Sequence, residues 1–191
     1  MTSNIALIHR YIGLLGTPRD TDKMRTSLMD TLTKTKDLSK ELILDIRSLN
    51  RWNPEDIGLS GRYEQQKLTG DFQKAATDFQ NAQRLALEKQ KDFVKDVKAA
   101  IEEENAEYEA SPDGRGQQLR QPQQDQQKVR LLSNSEIELN EQLIEEREQE
   151  IQGIEQGILE LNEIFRDLAT IVVEQGSALG AFSFLLIRLT G

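Results

Sequence analysis

Apolar residues recur along this chain at helical intervals, and toward its C-terminal end they fall into a stricter rhythm. Ile151, Ile154, Ile158, Leu161, Phe165, Leu168 and Val172 follow one another at alternating steps of three and four, and the same steps then reach Gln175 and Leu179. A repeat of about 3.5 residues keeps one stripe facing its neighbours while helices supercoil, so the ladder predicts the seam of a coiled coil. Its polar rung, Gln175, costs stability on such a seam and survives best where it fixes register or partner choice.

Three further amphipathic segments precede the ladder. Ile5, Ile8, Ile12 and Leu15 predict a short helix that stops at Gly16 and Pro18. A second helix, with Asp20 or Thr21 as N-cap, carries Met24, Leu28, Leu32, Leu38, Leu42, Ile46 and Leu49 and ends before the turn Asn53-Pro54. A third, from about Ser60, carries Leu68, Phe72, Ala75, Phe79, Ala82, Ala86, Phe93, Val97 and Ala100, a stripe whose alanines permit close helix approach. Helices joined by short turns cover such stripes most simply as an antiparallel bundle. The following stretch, SPDGRGQQLRQPQQDQQKVR, is rich in Gln, Gly, Pro and Arg and has no aromatic residue. It reads as a flexible linker, with a frayed helix as the alternative that Pro112, Gly114, Gly116 and Pro122 argue against. The predicted fold is all-α: an antiparallel three-helix bundle over 1–109, a linker over 110–133, a coiled-coil helix over 134–179 and an apolar tail over 180–191.

Composition supports long helices with narrow seams: of 191 residues 30% are charged and 5% aromatic, and there is no cysteine. That last fact excludes a disulfide scaffold, a cysteine nucleophile and a thiolate metal site. The N-terminal MTSNIALIHRYIG has neither the basic region nor the cleavage site of a signal peptide. Between Asn134 and Gln175, twelve acidic residues face only Arg147 and Arg166, a balance of −10 in a chain of net charge −9, so the acidity belongs to the C-terminal helix. Nucleic acid is excluded as a partner for want of a concentrated basic face. The acidic face serves either solvation or recognition by a basic surface.

No catalytic constellation assembles, so the chain reads as a non-enzyme without cofactor or metal. His9 is the single histidine and reads as an exposed helix residue. Glu145, Glu146, Glu148 and Glu150 do not converge on a point and read as a solvated face. Gly114 and Gly116 lack the ending and the strand-to-helix context of a phosphate loop. Trp52, beside a turn, reads as packing against the bundle.

The stretch LIEEREQEIQGIEQGILELNEIFRDLATIVVEQG, Leu143 to Gly176, resembles the SNARE motif of the syntaxin family. On that resemblance Gln175 falls at the central polar layer, and Ile151, Ile154, Ile158, Leu161, Phe165, Leu168, Val172 and Leu179 are core layers. LLGTPRDT (Leu14 to Thr21) and QQKLTGDFQKAATDFQNAQRLALEKQKDFV (Gln65 to Val94) resemble the regulatory three-helix domain of syntaxins, most of all the endosomal and vacuolar branch of fungal character. The resemblance implies a Qa-type, target-membrane SNARE that zippers with other Q-SNAREs and an R-SNARE to dock and fuse vesicles. It implies SM-type and SNAP-type regulatory proteins as further partners, and the cytoplasmic face of endosomal or vacuolar membranes as the place. In syntaxins the matching glutamine meets two glutamines and an arginine, and a register slip would strand such buried groups at roughly 1–3 kcal/mol each. Gly153 and Gly157 each cost about 1 kcal/mol relative to alanine, so the ladder helix is expected to be poorly ordered until partners cover it.

After Leu179 the chain departs from the family. Where the family continues into the second half of the motif and a membrane anchor, this sequence reads GAFSFLLIRLTG, apolar all round and shorter than the roughly 20 residues that span a bilayer. The expectation is a truncated or mis-spliced chain without its anchor, or a soluble short SNARE that acts as a regulator. A rival reading from another class is a structural or tethering coiled-coil protein whose ladder only oligomerises.

Overall fold

The computed structural model of the protein describes residues 1–52, 57–102 and 138–176. Leu179, the whole of the expected linker and the apolar tail lie outside them. The elements are α1 (Thr2–Ile12), α2 (Asp22–Asn50), α3 (Pro54–Ala110) and α4 (Gln123–Leu189), with no strand among the described residues. The fold is all-α, as the apolar pattern predicts.

The turn between α1 and α2 is built by LLGTPRDT itself. Gly16 sits at φ 73, a left-handed conformation that glycine adopts without strain. Its N–H donates to the Asp20 carboxylate at 2.8 Å, and the same carboxylate pairs with the buried Arg25 guanidinium. Thr21 is the N-cap of α2, its hydroxyl oxygen accepting the Met24 N–H at 3.2 Å. At the other end of α2 the Gln65 side-chain amide donates to the Leu49 carbonyl at 2.6 Å, which satisfies one of the last carbonyls of the helix. Helix α3 breaks at Gly58 (φ 63, ψ −174), so its regular course begins near the Ser60 expected from sequence.

By its contacts the chain forms two compact units, Met1–Ala86 with Ile154–Gly191, and Leu87–Gly153. In the first, Ile5, Ile8 and Ile12 of α1, Leu28, Leu32, Ile43 and Ile46 of α2, and Phe72, Ala76 and Phe79 of α3 are buried. Two details differ from the apolar stripes. On α2 the fully buried positions include Thr35 and Ser39, whereas Leu38 and Leu42 are half-buried. The two hydroxyls donate to the carbonyls of Thr31 and Thr35, each at 2.7 Å, so small polar side chains satisfied by their own helix occupy the crowded face. On α3 Leu68 is exposed and its neighbour Thr69 is buried, one position round the helix.

In the second unit Val94, Gln90 and Arg147 are buried. Gln90 donates to Glu150 at 2.7 Å, Arg147 pairs with Glu150 at 2.8 Å, and Lys98 pairs with Glu148 at 2.8 Å. The cluster read as a solvated acidic face is therefore partly committed: Glu148 and Glu150 hold cations and an amide, while Glu145 and Glu146 are exposed. Trp52 also departs from its reading, since it is 60% exposed rather than packed on the bundle. His9 is exposed. Among the described residues no group of side chains could hold a metal ion, and no helix is long and apolar enough to cross a membrane.

Candidate interaction face of helix α4

Within the first unit, α4 from Ile154 onward lies parallel to α2 and antiparallel to α3. Glu160 pairs with Lys36 and Lys40 and Asp167 with Arg47, so residue numbers rise together along α2. Against α3 they run oppositely, Asn162 with Gln80 and Gln175 with Thr69.

From Ile154 onward the buried positions of α4 are Ile154, Gly157, Leu161, Ile164, Leu168 and Ile171, with Gln175 half-buried at the end of the series. This is again an alternation of three and four, but it is not the predicted ladder. It keeps every second rung, Ile154, Leu161, Leu168 and Gln175, and replaces Ile158, Phe165 and Val172 by the residues just before them. With a step of roughly 103° per residue, the centre of the covered stripe is turned by about 50° from the coiled-coil seam. Consequently Ile158 and Phe165 are half-buried and Val172 is 42% exposed. Ile151, in the second unit, is half-buried.

Gly157 makes the turned packing possible. A Cβ at this position would lie 2.9 Å from the buried Gln83 amide nitrogen, so the close approach of α4 to α3 occupies the space a side chain would need. Gln175 is the other special position. Its amide nitrogen donates to Asn50 Oδ1 and to Thr69 Oγ1, both at 3.0 Å, and the Thr69 hydroxyl donates in turn to the Gln65 carbonyl at 2.8 Å. Both protons of the glutamine amide are thus satisfied within the chain. A cavity of about 240 Å³ adjoins it, lined among others by Trp52, Tyr63, Arg62, Glu174 and Gln175.

The rim facing α2 is ionic. Glu160 is held at about 2, well below the usual carboxylate range, by hydrogen bonds from Lys40, Lys36 and Gln156 that outweigh its partial burial. Lys40 is raised in turn, mainly by its hydrogen bond to Glu160. The basic surface that the acidic helix could recognise is therefore supplied by α2.

Sequence reasoning missed Gly157, Ile164 and Ile171, although a signal was present. Ile164-Phe165 and Ile171-Val172 are adjacent apolar pairs, which widen the stripe from two heptad rows to three. A three-row stripe suits a helix that meets neighbours on more than one side.

Comparison with known proteins bears on what those neighbours are. Residues 1–129 match the family described as Syntaxin-like protein, and residues 142–183 match the SNARE domain. The chain is 33% identical over 186 residues to syntaxin pep12 of Schizosaccharomyces pombe, an alignment that covers 92% of this chain and 65% of that protein. To syntaxin-7 of Homo sapiens it is 31% identical over 175 residues, 90% of this chain and 66% of the other. The chain belongs to the syntaxin family. A shorter alignment with syntaxin PEP12 of Saccharomyces cerevisiae reaches 51% identity over 45 residues, 24% of this chain and 16% of that protein. This syntaxin spans about two thirds of the length of the first two relatives. No solved structure matches it. The turned face of α4 therefore lies in the segment that matches the SNARE domain.

Proposed function

We propose that the protein acts as a Qa-type SNARE in docking and fusion on the endosome-to-vacuole route, and that the described fold is its folded-back state. In this reading residues 1–109 are the regulatory bundle, 110–133 the linker, and 134–179 the helix that zippers with other Q-SNAREs and an R-SNARE. Gln175 forms the central polar layer, and Ile151, Ile154, Ile158, Leu161, Phe165, Leu168, Val172 and Leu179 the core layers. SM-type and SNAP-type proteins are its regulators, the cytoplasmic face of endosomal or vacuolar membranes its site of action, and no catalytic step is involved.

The observation that carries the regulatory part is the double use of one row. Ile154, Leu161, Leu168 and Gln175 face α2 and α3 here and belong to the ladder that a four-helix coil would bury. The same side chains cannot be covered by both, so folding back competes with assembly. Asn50 and Thr69 take the part of the polar partners that Gln175 would otherwise find on other helices.

The test is to mix the chain with recombinant SNARE helices of Qb, Qc and R type and to follow complex formation by size exclusion and Trp52 fluorescence. A stoichiometric four-component complex formed with a change in the Trp52 signal is expected. A homo-oligomer of the ladder that ignores the other SNAREs would favour the structural coiled-coil reading instead.

A further inference from the structure

Folding back covers one flank of α4 and leaves the other uncovered. Ile158 and Phe165 are half-buried and Val172 is 42% exposed, and beside them Leu159 and Val173 are 61% and 71% exposed. These five residues lie in two rows along one flank of α4 between Ile158 and Val173, on the side of the helix away from the Glu160 and Asp167 pairs with α2. Asn162, held by Gln80 of α3, and the exposed Ala169 lie between the rows, and the exposed Arg166 interrupts the outer one, so the row of Ile158, Phe165 and Val172 is the continuous apolar element of this strip. Such a strip is costly to leave in water, at about 25 cal/mol per Å² of apolar surface, and its heptad spacing identifies what fits it. Ile158, Phe165 and Val172 are alternate rungs of the ladder in the SNARE domain and continue the covered row Ile154, Leu161, Leu168 without a break in register. A helix with its own heptad stripe therefore finds half of a coiled-coil seam already presented.

We propose that this strip is the landing site of the first partner SNARE helix, which docks on the folded-back chain before α4 leaves α2 and α3. The inference rests on the SNARE reading above and adds an order of events to it. The first partner packs against Ile158, Phe165 and Val172 while Ile154, Leu161 and Leu168 remain covered. A turn of about 50° then moves the shared row from the bundle to the growing coil, half of one residue's step round a seam of about 3.5 residues per turn. Opening is thereby coupled to the presence of a partner instead of preceding it.

The chain has no cysteine, so the folded-back state can be locked selectively. Arg47 and Asp167 pair at 2.7 Å on the flank opposite the strip, and both side chains are accessible. In the Arg47→Cys, Asp167→Cys chain, a short bismaleimide would hold α4 against α2. Recombinant SNARE helices of Qb, Qc and R type, each added singly, and a peptide of residues 134–179 of this chain are the probes, followed by fluorescence anisotropy. We expect one of the three SNARE helices to bind the locked chain. Phe165→Ala and Val172→Asp should each weaken that binding at least tenfold, while Leu44→Ser, at a similarly exposed leucine on α2, should leave it unchanged. Circular dichroism of each locked variant reports whether its helices persist, and Val172, the more exposed site, provides the readout if Phe165→Ala disturbs the fold. If the locked chain binds no single helix while the unlocked chain assembles with the full set, the landing site is wrong and the SNARE reading stands. If the unlocked chain also fails to assemble, the SNARE reading falls with it. Binding of the 134–179 peptide alone would overturn the proposal by making the strip a contact between copies of this chain.

Discussion

Phe79 of α3 and Leu161 of α4 are both fully buried, yet they lie in interfaces of different composition. Around Phe79 the α3 face is made of aromatic rings and alanines, Phe72, Ala75, Ala76, Ala82 and Ala86, and α1 and α2 contribute isoleucine and leucine, with the hydroxyls of Thr35 and Ser39 satisfied by α2 itself. The docked stretch of α4 interrupts its aliphatic row with Gly157 and Gln175, meets Thr69 and Gln83 on α3, and closes its edge with ion pairs to α2. An interface that never opens needs its few polar groups satisfied only once, as the Thr35 and Ser39 hydroxyls are by their own helix. One that must be left needs groups whose polar demands are met in both states, since an amide stranded without a partner costs roughly 1–3 kcal/mol.

The largest test of this contrast replaces the two residues themselves. Phe79→Ala should cost about 3–5 kcal/mol and lower the cooperative unfolding of α1 to α3, seen as an earlier urea midpoint by circular dichroism. Leu161→Ala should cost about 2–5 kcal/mol in docking alone. Hydrogen exchange would then rise along 154–176 while protection in α1 and α2 persists. Equal loss of protection everywhere would mean that α4 is an ordinary member of one core.

A sharper cut is available one residue apart. Ile164 is buried in the folded-back state and lies off the ladder, whereas Phe165 is half-buried here and lies on it. Ile164→Ala should therefore weaken docking by about 2–4 kcal/mol and leave the assembled coil nearly unaffected, which would speed assembly with SNARE helices. Phe165→Ala should do the reverse, with a similar loss in the assembled complex and a small one in docking. Matched effects of the two substitutions on both states would remove the difference between the two seams.

That pair also shows how far the residues alone could be read. The existence of each helix, the Thr21 cap, the end of α2 and the ladder follow from local chemistry, because caps, turns and heptads act over a few residues. The face that α4 turns inward does not. Ile164 and Phe165 are equally good core residues, and the choice between them is made by Gly157 meeting Gln83 and by Gln175 meeting Asn50 and Thr69. Those contacts join positions some 75 to 125 residues apart, which no local pattern encodes. The expectation of a ladder helix poorly ordered until covered left open which surface covers it, and in this structure α2 and α3 lie against it.

Polar contacts should give smaller effects. Thr69→Val keeps the shape of the side chain and removes an acceptor from Gln175, so docking should weaken by about 0.5–1.5 kcal/mol while the assembled coil is unchanged. Gln175→Leu should hold or strengthen helix association and loosen register, since an apolar layer no longer penalises misalignment. Cross-links between defined positions of the assembled helices would reveal the register. A variant with the same single register and partner choice as the parent would reduce Gln175 to an incidental polar residue.

The smallest expected effect is a pH dependence carried by the ionic rim. Hydrogen bonds from Lys40, Lys36 and Gln156 hold the Glu160 carboxyl at about 2 when α4 is docked, against 4.5 ordinarily. A group that binds its proton less tightly in the docked state favours that state when it is ionised. Its contribution is therefore complete above 4.5 and fades as the pH falls from there toward 2. Lys40, raised by the same contact, adds a contribution that is present below 10.5 and fades as the pH rises through its elevated value. Lys40 is half-exposed, so solvent screens the pair and the whole effect should stay below about 1 kcal/mol. Trp52, the single tryptophan, lines the cavity beside Glu174 and Gln175, so its fluorescence reports docking. Other carboxylates protonate in the same acid range, and for that reason the measurement is a difference between two chains. Parent and Glu160→Gln should diverge at neutral pH, where only the parent carries the ionised group, and converge as the pH approaches 2. A constant difference across that range would mean that the Lys36, Lys40 and Glu160 contacts do not hold α4 in place.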